Sequence, residues 1–319
     1  VSTEFEIIRR HFARPGRTAV LGVGDDCALL APRPGRVLAV STDMLLAGSH
    51  FFHGADPETL GHKALAVNLS DLAAMGADPR WALLAIALPR ADERWIAAFA
   101  KGFFRLARRF DAELIGGDTT RGPLAISITV IGEVAPKLAL RRDAARAGDD
   151  VWVSGATGEA ALALAQIQGR VKLKGRGRKA CLARLHAPEP RVKLGARLLG
   201  LARSAIDVSD GLLADLGHIA TASHVAAELR WEDIPRAKAV AECTNKTLAK
   251  DCLLAGGDDY ELVFTAPQSM RSKIRAAGKK TGIRVTVIGA IVAGRPEVRV
   301  RDAKGRIVPT RRAGFDHFA

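Results

Sequence analysis

Apolar and polar residues alternate from Val37 to Ser41 and again from Ala125 to Glu133, the period-two signature of half-buried strands, while Trp81 to Leu88 is a continuous apolar run of strand length. Between these runs the spacing lengthens. Leu65, Leu69 and Leu72 recur at helical intervals within Thr59 to Met75, and Trp95, Phe99, Phe103, Leu106 and Phe110 form one stripe along Asp92 to Phe110. An aromatic stripe at that spacing reads as core packing and not as a cofactor box. After Pro136 the pattern breaks into charged and small residues as far as Asp150, then restarts: Val151 to Ser154 as a strand, Thr157 to Gln168 as a helix, Ala205 to Val208 as a short strand, and Gly211 to Ala222 as a helix. The segment 168–179 is basic and Gly-rich and reads as an exposed loop. Strands and helices alternate in both halves, which predicts a mixed α/β protein of two domains, 1–138 and 139–319.

Composition supports this division and removes several functions. A chain of 319 residues with 48% apolar content is long enough for two cores. The longest apolar run stops at Pro89, far short of the roughly 20 residues a membrane span needs, and Val1 to Arg10 lacks the apolar core of a secretory signal. Cys27, Cys181, Cys243 and Cys252 show no paired spacing, so reduced thiols and a cytoplasmic location are expected. The formal charge of +14 would draw polyanions. Its arginines and lysines are nevertheless scattered, with no interleaved aromatic residues for base stacking, so they read as a solvated surface and no nucleic-acid partner is expected.

The aspartates are less evenly spread. Gly24-Asp25-Asp26, Ser41-Thr42-Asp43, Gly116-Gly117-Asp118-Thr119-Thr120, Asp207-Val208-Ser209-Asp210 and Gly256-Gly257-Asp258-Asp259 each follow an apolar run in a turn rich in Gly, Ser or Thr. Such strand ends collect ligand groups in α/β proteins. Any one of them could simply cap a helix or shape a turn, Ser209 and Asp210 above all. Five together would repel one another unless cations lay between them. Mg²⁺ fills its sphere with a few carboxylates, water and phosphate oxygens, so the pattern favours a metal–nucleotide complex. Asn68 and Asp71, three residues apart beside the leucine stripe, share one helix face, either solvated or coordinating metal. The chain has no G-x-x-x-x-G-K-[ST] loop, no kinase Gly-rich loop, no H-R-D and no G-x-S-x-G element. Phosphate handling by a different fold is left.

Over nearly its whole length the chain resembles the thiamine-monophosphate kinase family, and more broadly the superfamily that includes aminoimidazole ribonucleotide synthetase and selenophosphate synthetase. The resemblance is carried by Gly22 to Ala28 (GVGDDCA), Ser41 to Leu45 (STDML) with Gly48 to Phe51, Val67 to Ala77, Gly116 to Leu124 (GGDTTRGPL), Asp207 to Leu212 (DVSDGL), Gly256 to Leu262 (GGDDYEL) and Gly314 to Phe318 (GFDHF). It implies an aminoimidazole ribonucleotide synthetase-like fold whose N-terminal domain pairs in a homodimer, with ATP and several Mg²⁺ ions. It also implies metal ligation by Asp26, Ser41, Thr42, Asp43, Asp71, Asp118, Asp207 and Asp210, nucleotide contacts from Gly117, Asp118, Arg142 and Ser209, and substrate contacts from His50, Asp258 and Phe315. Asp258 stands where the family usually has Glu, which shortens the reach of that carboxylate.

A phosphate acceptor is already ionised at neutral pH, so such a reaction needs no general base, and the lack of a nucleophile–histidine dyad is accounted for. Asp43, Asp71 and Asp118 are then the catalytic candidates through the cations they hold, with Arg121 and Arg142 taking up charge on the transferred group. Taken alone, each arginine reads as a surface ion pair and His50 as a structural histidine. The competing readings are another ATP-using member of the superfamily, a non-catalytic nucleotide-binding protein, and a basic nucleic-acid-binding protein.

Overall fold

The computed structural model describes residues 3–310 and 314–315. By its internal contacts the chain divides into two compact units, Val1–Leu72 with Ala77–Lys137, and Ala73–Gly76 with Leu138–Ala319.

In the first unit a short helix, α1 (Glu4–Ile7), continues as a π-turn at Ile8–Phe12. Four strands follow, β1 (Val37–Leu46), β2 (Asp78–Leu88), β3 (Glu113–Arg121) and β4 (Ala125–Val134), in the sheet order β1-β4-β2-β3. Helix α2 (Pro57–Ala74) lies between β1 and β2, and α3 (Glu93–Arg109) between β2 and β3. The leucine stripe of α2 and the aromatic stripe of α3 are core as their spacing predicts: Leu65, Leu69, Phe99 and Phe103 are fully buried. The two helices cross at glycines. A Cβ on Gly102 would sit 1.8 Å from the Glu58 carbonyl oxygen, and one on Gly61 would sit 2.1 Å from that of Phe99. Backbone meets backbone there, and Lys101 and Arg105 of α3 clasp Glu58 across the crossing.

Two acidic segments expected in turns are in fact strand. Ser41 to Asp43 occupy the middle of β1, because the hydrogen-bonded ladder to β4 runs on past Ser41 as far as Leu46. Gly116 to Arg121 belong to β3, an edge strand parallel to β2. Its polar and glycine residues hide the alternation by which a strand is read. The glycine is required by the packing: Gly117 has φ +145°, and a Cβ there would stand 1.8 Å from the Leu84 carbonyl oxygen. Arg121 is therefore the last residue of a strand and not part of a turn.

The second unit holds a six-stranded sheet in the order β10-β7-β9-β5-β8-β6. Its strands are β5 (Asp150–Ser154), β6 (Ser204–Asp207), β7 (Ala226–Arg230), β8 (Leu262–Ala266), β9 (Val285–Val292) and β10 (Glu297–Arg301), all paired antiparallel except β7 with β10. Around it lie α4 (Glu159–Ile167), α5 (Gly175–His186), α6 (Val192–Leu198), α7 (Leu212–Ser223), α8 (Lys238–Ala241), α9 (Lys246–Ala255) and α10 (Arg271–Thr281). Segment 168–179 is a loop only as far as Lys174. From Gly175 it is helical, because Cys181 and Leu185, one turn apart, are buried in the core and anchor α5 while Arg176 and Arg178 stay outside. The expected strands and helices otherwise appear with ends shifted by a residue or a few.

Candidate active site

In the first unit the sheet sorts the candidate residues by face. Ser41 and Asp43 alternate with Thr42 along β1, so the two lie on one face and Thr42 on the other. The Ser41 hydroxyl donates to Asp71 Oδ2 at 2.6 Å, which places Ser41, Asp43 and Asp71 together on the face that carries α2. Asn68 is the reason α2 and β1 hold this register. It is fully buried, its Oδ1 accepts the Asp43 backbone N–H at 2.9 Å, and its amide donates to the Ala64 carbonyl at 2.9 Å. Of the two readings left open for Asn68, solvated or metal-ligating, neither describes it: it fastens a strand.

Asp118 aligns with Ala85, Ser127 and Met44 across the sheet, one residue out of step with Asp43, and so belongs to the opposite face. Asp43 and the row-mate of β3, Gly117, are three strands apart, about 14 Å at ordinary strand spacing. Asp118 keeps company with Asp26. Both line a cavity of about 820 Å³ beside Gly116 and Gly117, with apolar walls from Phe5, Ile8 and Ile115. Between Phe12 and Val23, which both line this cavity, the chain is tied down by buried Glu113, which accepts N–H bonds from Arg17, Thr18 and Ala19. His50 is folded back on the end of β1, its Nδ1 accepting the Leu46 N–H at 3.0 Å and its own N–H donating to the Leu46 carbonyl at 3.0 Å. Arg121 and Thr42 are exposed, and Thr42 donates to the Ile128 carbonyl at 3.1 Å.

In the second unit Asp207 is the last residue of β6, paired with Leu262, the first of β8. The two loops leaving that end continue the ladder: Val208 N–H bonds to the Glu261 carbonyl, Tyr260 N–H to that of Val208, and Asp258 N–H to that of Ser209, each at 2.8 Å. The Phe315 N–H bonds to the Asp210 carbonyl at 3.0 Å. Ser209, Asp210, Asp258 and Phe315 are thus brought together; Phe315 is 56% exposed, and Asp316 to Phe318 lie outside the described residues. Asp258 adopts φ +66° and Tyr260 φ +50°, and the Tyr260 hydroxyl donates to Asp258 Oδ1 at 3.0 Å. Arg142 stands apart from this group. Its carbonyl accepts from Ser223 at the C-terminal end of α7, whereas Ser209 and Asp210 precede the N-terminus of that helix.

Three supporting carboxylates are not singled out by the sequence, although Asp259 and Glu261 lie within the GGDDYEL motif. Asp215 accepts the N–H groups of Asp210 and Gly211 at 3.1 and 3.0 Å, and burial pushes its carboxyl up to about 7 against the pull of those bonds. Asp259 accepts the Gly158 N–H at 2.6 Å, and burial raises its carboxyl well above the ordinary range. Glu261, wholly buried, is gripped by Arg191, with Nε at 2.6 Å, and accepts the Ser154 hydroxyl at 2.5 Å. Only long-range contacts reveal these roles, since each residue is one acid among several in its segment.

Among the described residues no group of three or more His, Cys, Asp or Glu side chains is placed to hold a metal ion unaided. The donors present are hydroxyl and carboxylate oxygens, the set a hard cation prefers, and Mg²⁺ completes its sphere with water and phosphate. The residues fit such an ion, as pairs and not as a closed cage.

Two family models cover most of the chain: the AIR synthase related protein N-terminal domain over residues 24–134 and its C-terminal domain over 146–301. The chain is 44% identical to the thiamine-monophosphate kinase of Escherichia coli (strain K12) over 321 residues, covering 99% of this chain and 98% of that one. The chain belongs to the thiamine-monophosphate kinase family. A solved family member, from Stenotrophomonas maltophilia K279a, superposes with a TM-score of 0.85 at 47% identity, over 95% of both chains. AaThiL, solved in complex with AMPPCP and TMP, gives a TM-score of 0.77 at 29% identity, over 90% of this chain and 89% of that one. The expected mixed α/β, aminoimidazole ribonucleotide synthetase-like architecture is that of the family.

Proposed function

We propose that this protein transfers the γ-phosphate of ATP directly, in line, to thiamine monophosphate, giving thiamine diphosphate. The observation that carries the reading is the meeting, at one cavity, of two carboxylates, Asp26 and Asp118, with a stretch of strand, Gly116-Gly117, that has no side chains. Phosphates can approach such a backbone closely, but only with their charge and that of the aspartates offset. Magnesium, held by Asp26, Ser41, Thr42, Asp43, Asp71, Asp118, Asp207 and Asp210, supplies that neutralisation when bound. Gly117, Asp118, Arg142 and Ser209 position the nucleotide. Arg121 and Arg142 offer guanidinium groups to the transferred phosphoryl group, and the acceptor oxygen, already ionised, gives up no proton. His50, Asp258 and Phe315 orient the thiamine end, with Phe315 presenting an exposed ring for the heterocycle.

The working form is a homodimer built through the first unit. Strand β1 is an open sheet edge with Val40 61% and Met44 57% exposed, a surface that asks for a partner. Asp43 and Asp118 sit on the two edge strands of the same sheet, so a second copy whose β3 runs beside β1 would make the strands that carry them neighbours. A cytoplasmic setting is supported by four cysteines, all free and three of them buried. The deciding experiment is incubation with ATP, Mg²⁺ and thiamine monophosphate: thiamine diphosphate must form, and its absence under conditions where the protein is folded ends the proposal.

A further inference from the structure

We infer that Tyr260 is a positioning residue for thiamine monophosphate, its hydroxyl fixing the Asp258 carboxylate in the orientation that meets the thiamine end. This rests on the kinase reading and deepens it by adding a residue that acts through another. Tyr260 is the one tyrosine of the chain, and its backbone suits a tyrosine poorly. It has φ +50°, two residues after Asp258 at φ +66°. An aspartate tolerates the left-handed region, whereas a bulky side chain there is strained and persists only where its surroundings hold it.

The surroundings do hold it. The N–H groups of Tyr260 and Asp258 bond to the Val208 and Ser209 carbonyls, each at 2.8 Å. Between them buried Asp259 accepts the Gly158 N–H at 2.6 Å and ties the loop to the start of α4. Gly257 lies close on the neighbouring loop, since a Cβ there would stand 2.3 Å from the Ser209 carbonyl oxygen. A glycine at position 260 would take up the same backbone without strain. What it could not supply is the phenol. Tyr260 is buried, and its hydroxyl donates to Asp258 Oδ1 at 3.0 Å, while Asp258 itself is half-buried. A carboxylate with one oxygen engaged by a fixed phenol has lost its freedom to rotate, so a cationic heterocycle meets it already oriented. The hydroxyl therefore serves substrate binding and not the transfer step.

A mutant cycle tests this. Tyr260→Phe keeps the ring and deletes only the hydroxyl; it should raise the KM for thiamine monophosphate about ten-fold, with kcat and the KM for ATP within about two-fold of wild type. In an Asp258→Ala background the same change should alter that KM by less than about two-fold. Equal factors in the two backgrounds, or a loss confined to kcat, overturn the inference, because a merely structural tyrosine acts whether or not the carboxylate is there. The single tyrosine gives a second readout that leaves position 260 a tyrosine. Protein made with fluorotyrosine carries one fluorine resonance; saturating thiamine monophosphate should shift it in the otherwise unaltered chain and leave it in place in Asp258→Ala. A resonance that does not respond in the unaltered chain, or that responds equally in both, overturns the inference as well. Wild-type turnover is measured in the same preparation: absent turnover sinks the kinase reading, and intact turnover with equal factors sinks only the role of Tyr260.

Discussion

The two units present their candidate residues in opposite ways. In the first, Ser41, Asp43 and Asp118 are carried by strands, and their positions follow from sheet register, with Asn68 pinning β1 to α2. In the second, Ser209, Asp210 and Asp258 sit in loops whose shape comes from backbone bonds, two positive-φ residues and a buried carboxylate beneath. Strand-borne ligands should fail when they themselves are altered, and among their neighbours only those that pin the strand, such as Asn68, should matter. Loop-borne ligands should be sensitive to whatever holds the loop.

The harshest test removes what both sets share. EDTA should abolish phosphoryl transfer and Mg²⁺ should restore it; metal-independent turnover would sink the scheme in both units at once. Next, Asp118→Asn should fold normally and lose about a thousand-fold in kcat, because an amide cannot replace a carboxylate at a cation. Asp43→Asn should behave alike. If the strand-borne set is completed by a second copy, mixing these two inactive variants should recover about a quarter of wild-type activity, since half the dimers are mixed and each has one intact site. No recovery after subunit exchange would return the set to a single chain.

Asn68→Ala should cost about 1–3 kcal/mol of stability, read from denaturant unfolding, by leaving the Asp43 N–H without its buried acceptor. It should also raise the Mg²⁺ concentration needed for half-maximal rate. In the second unit Asp259→Asn probes a buried support. Its raised folded value means that its contribution to stability is full below the unfolded value of 3.8 and is lost as pH rises through the folded value. The variant, which stays neutral, should therefore gain on the wild type as pH climbs from the unfolded value to the folded one and level off beyond it; parallel unfolding midpoints across the range would refute this. The smallest effect is expected of Asp258→Glu, which restores the reach usual in the family and should lower the KM for thiamine monophosphate by a few-fold, with kcat little changed.

Much of this was legible in the sequence. Helix α3 showed itself through one aromatic stripe, and the acidic motifs named the family. What stayed hidden has physical causes. Strand β3 lacks alternation because an edge strand with Gly117 pressed on Leu84 needs glycine more than it needs apolar side chains. The helical start of α5 was masked by arginines and glycines, while its anchors Cys181 and Leu185 lay further on. The sequence leaves Asn68 between solvation and metal coordination because spacing along one helix says nothing of the strand opposite. Asp215, Asp259 and Glu261 act through partners that only the fold brings near.

The crossing of α2 and α3 leaves no room for even a methyl group at Gly61 or Gly102. An alanine at either would wedge the helices apart and carry Asn68 and Asp71 with α2, though Gly61 lies about two turns from Asn68. The register of the strand-borne residues therefore hangs on a contact between two helix backbones, one that no side chain larger than hydrogen can share.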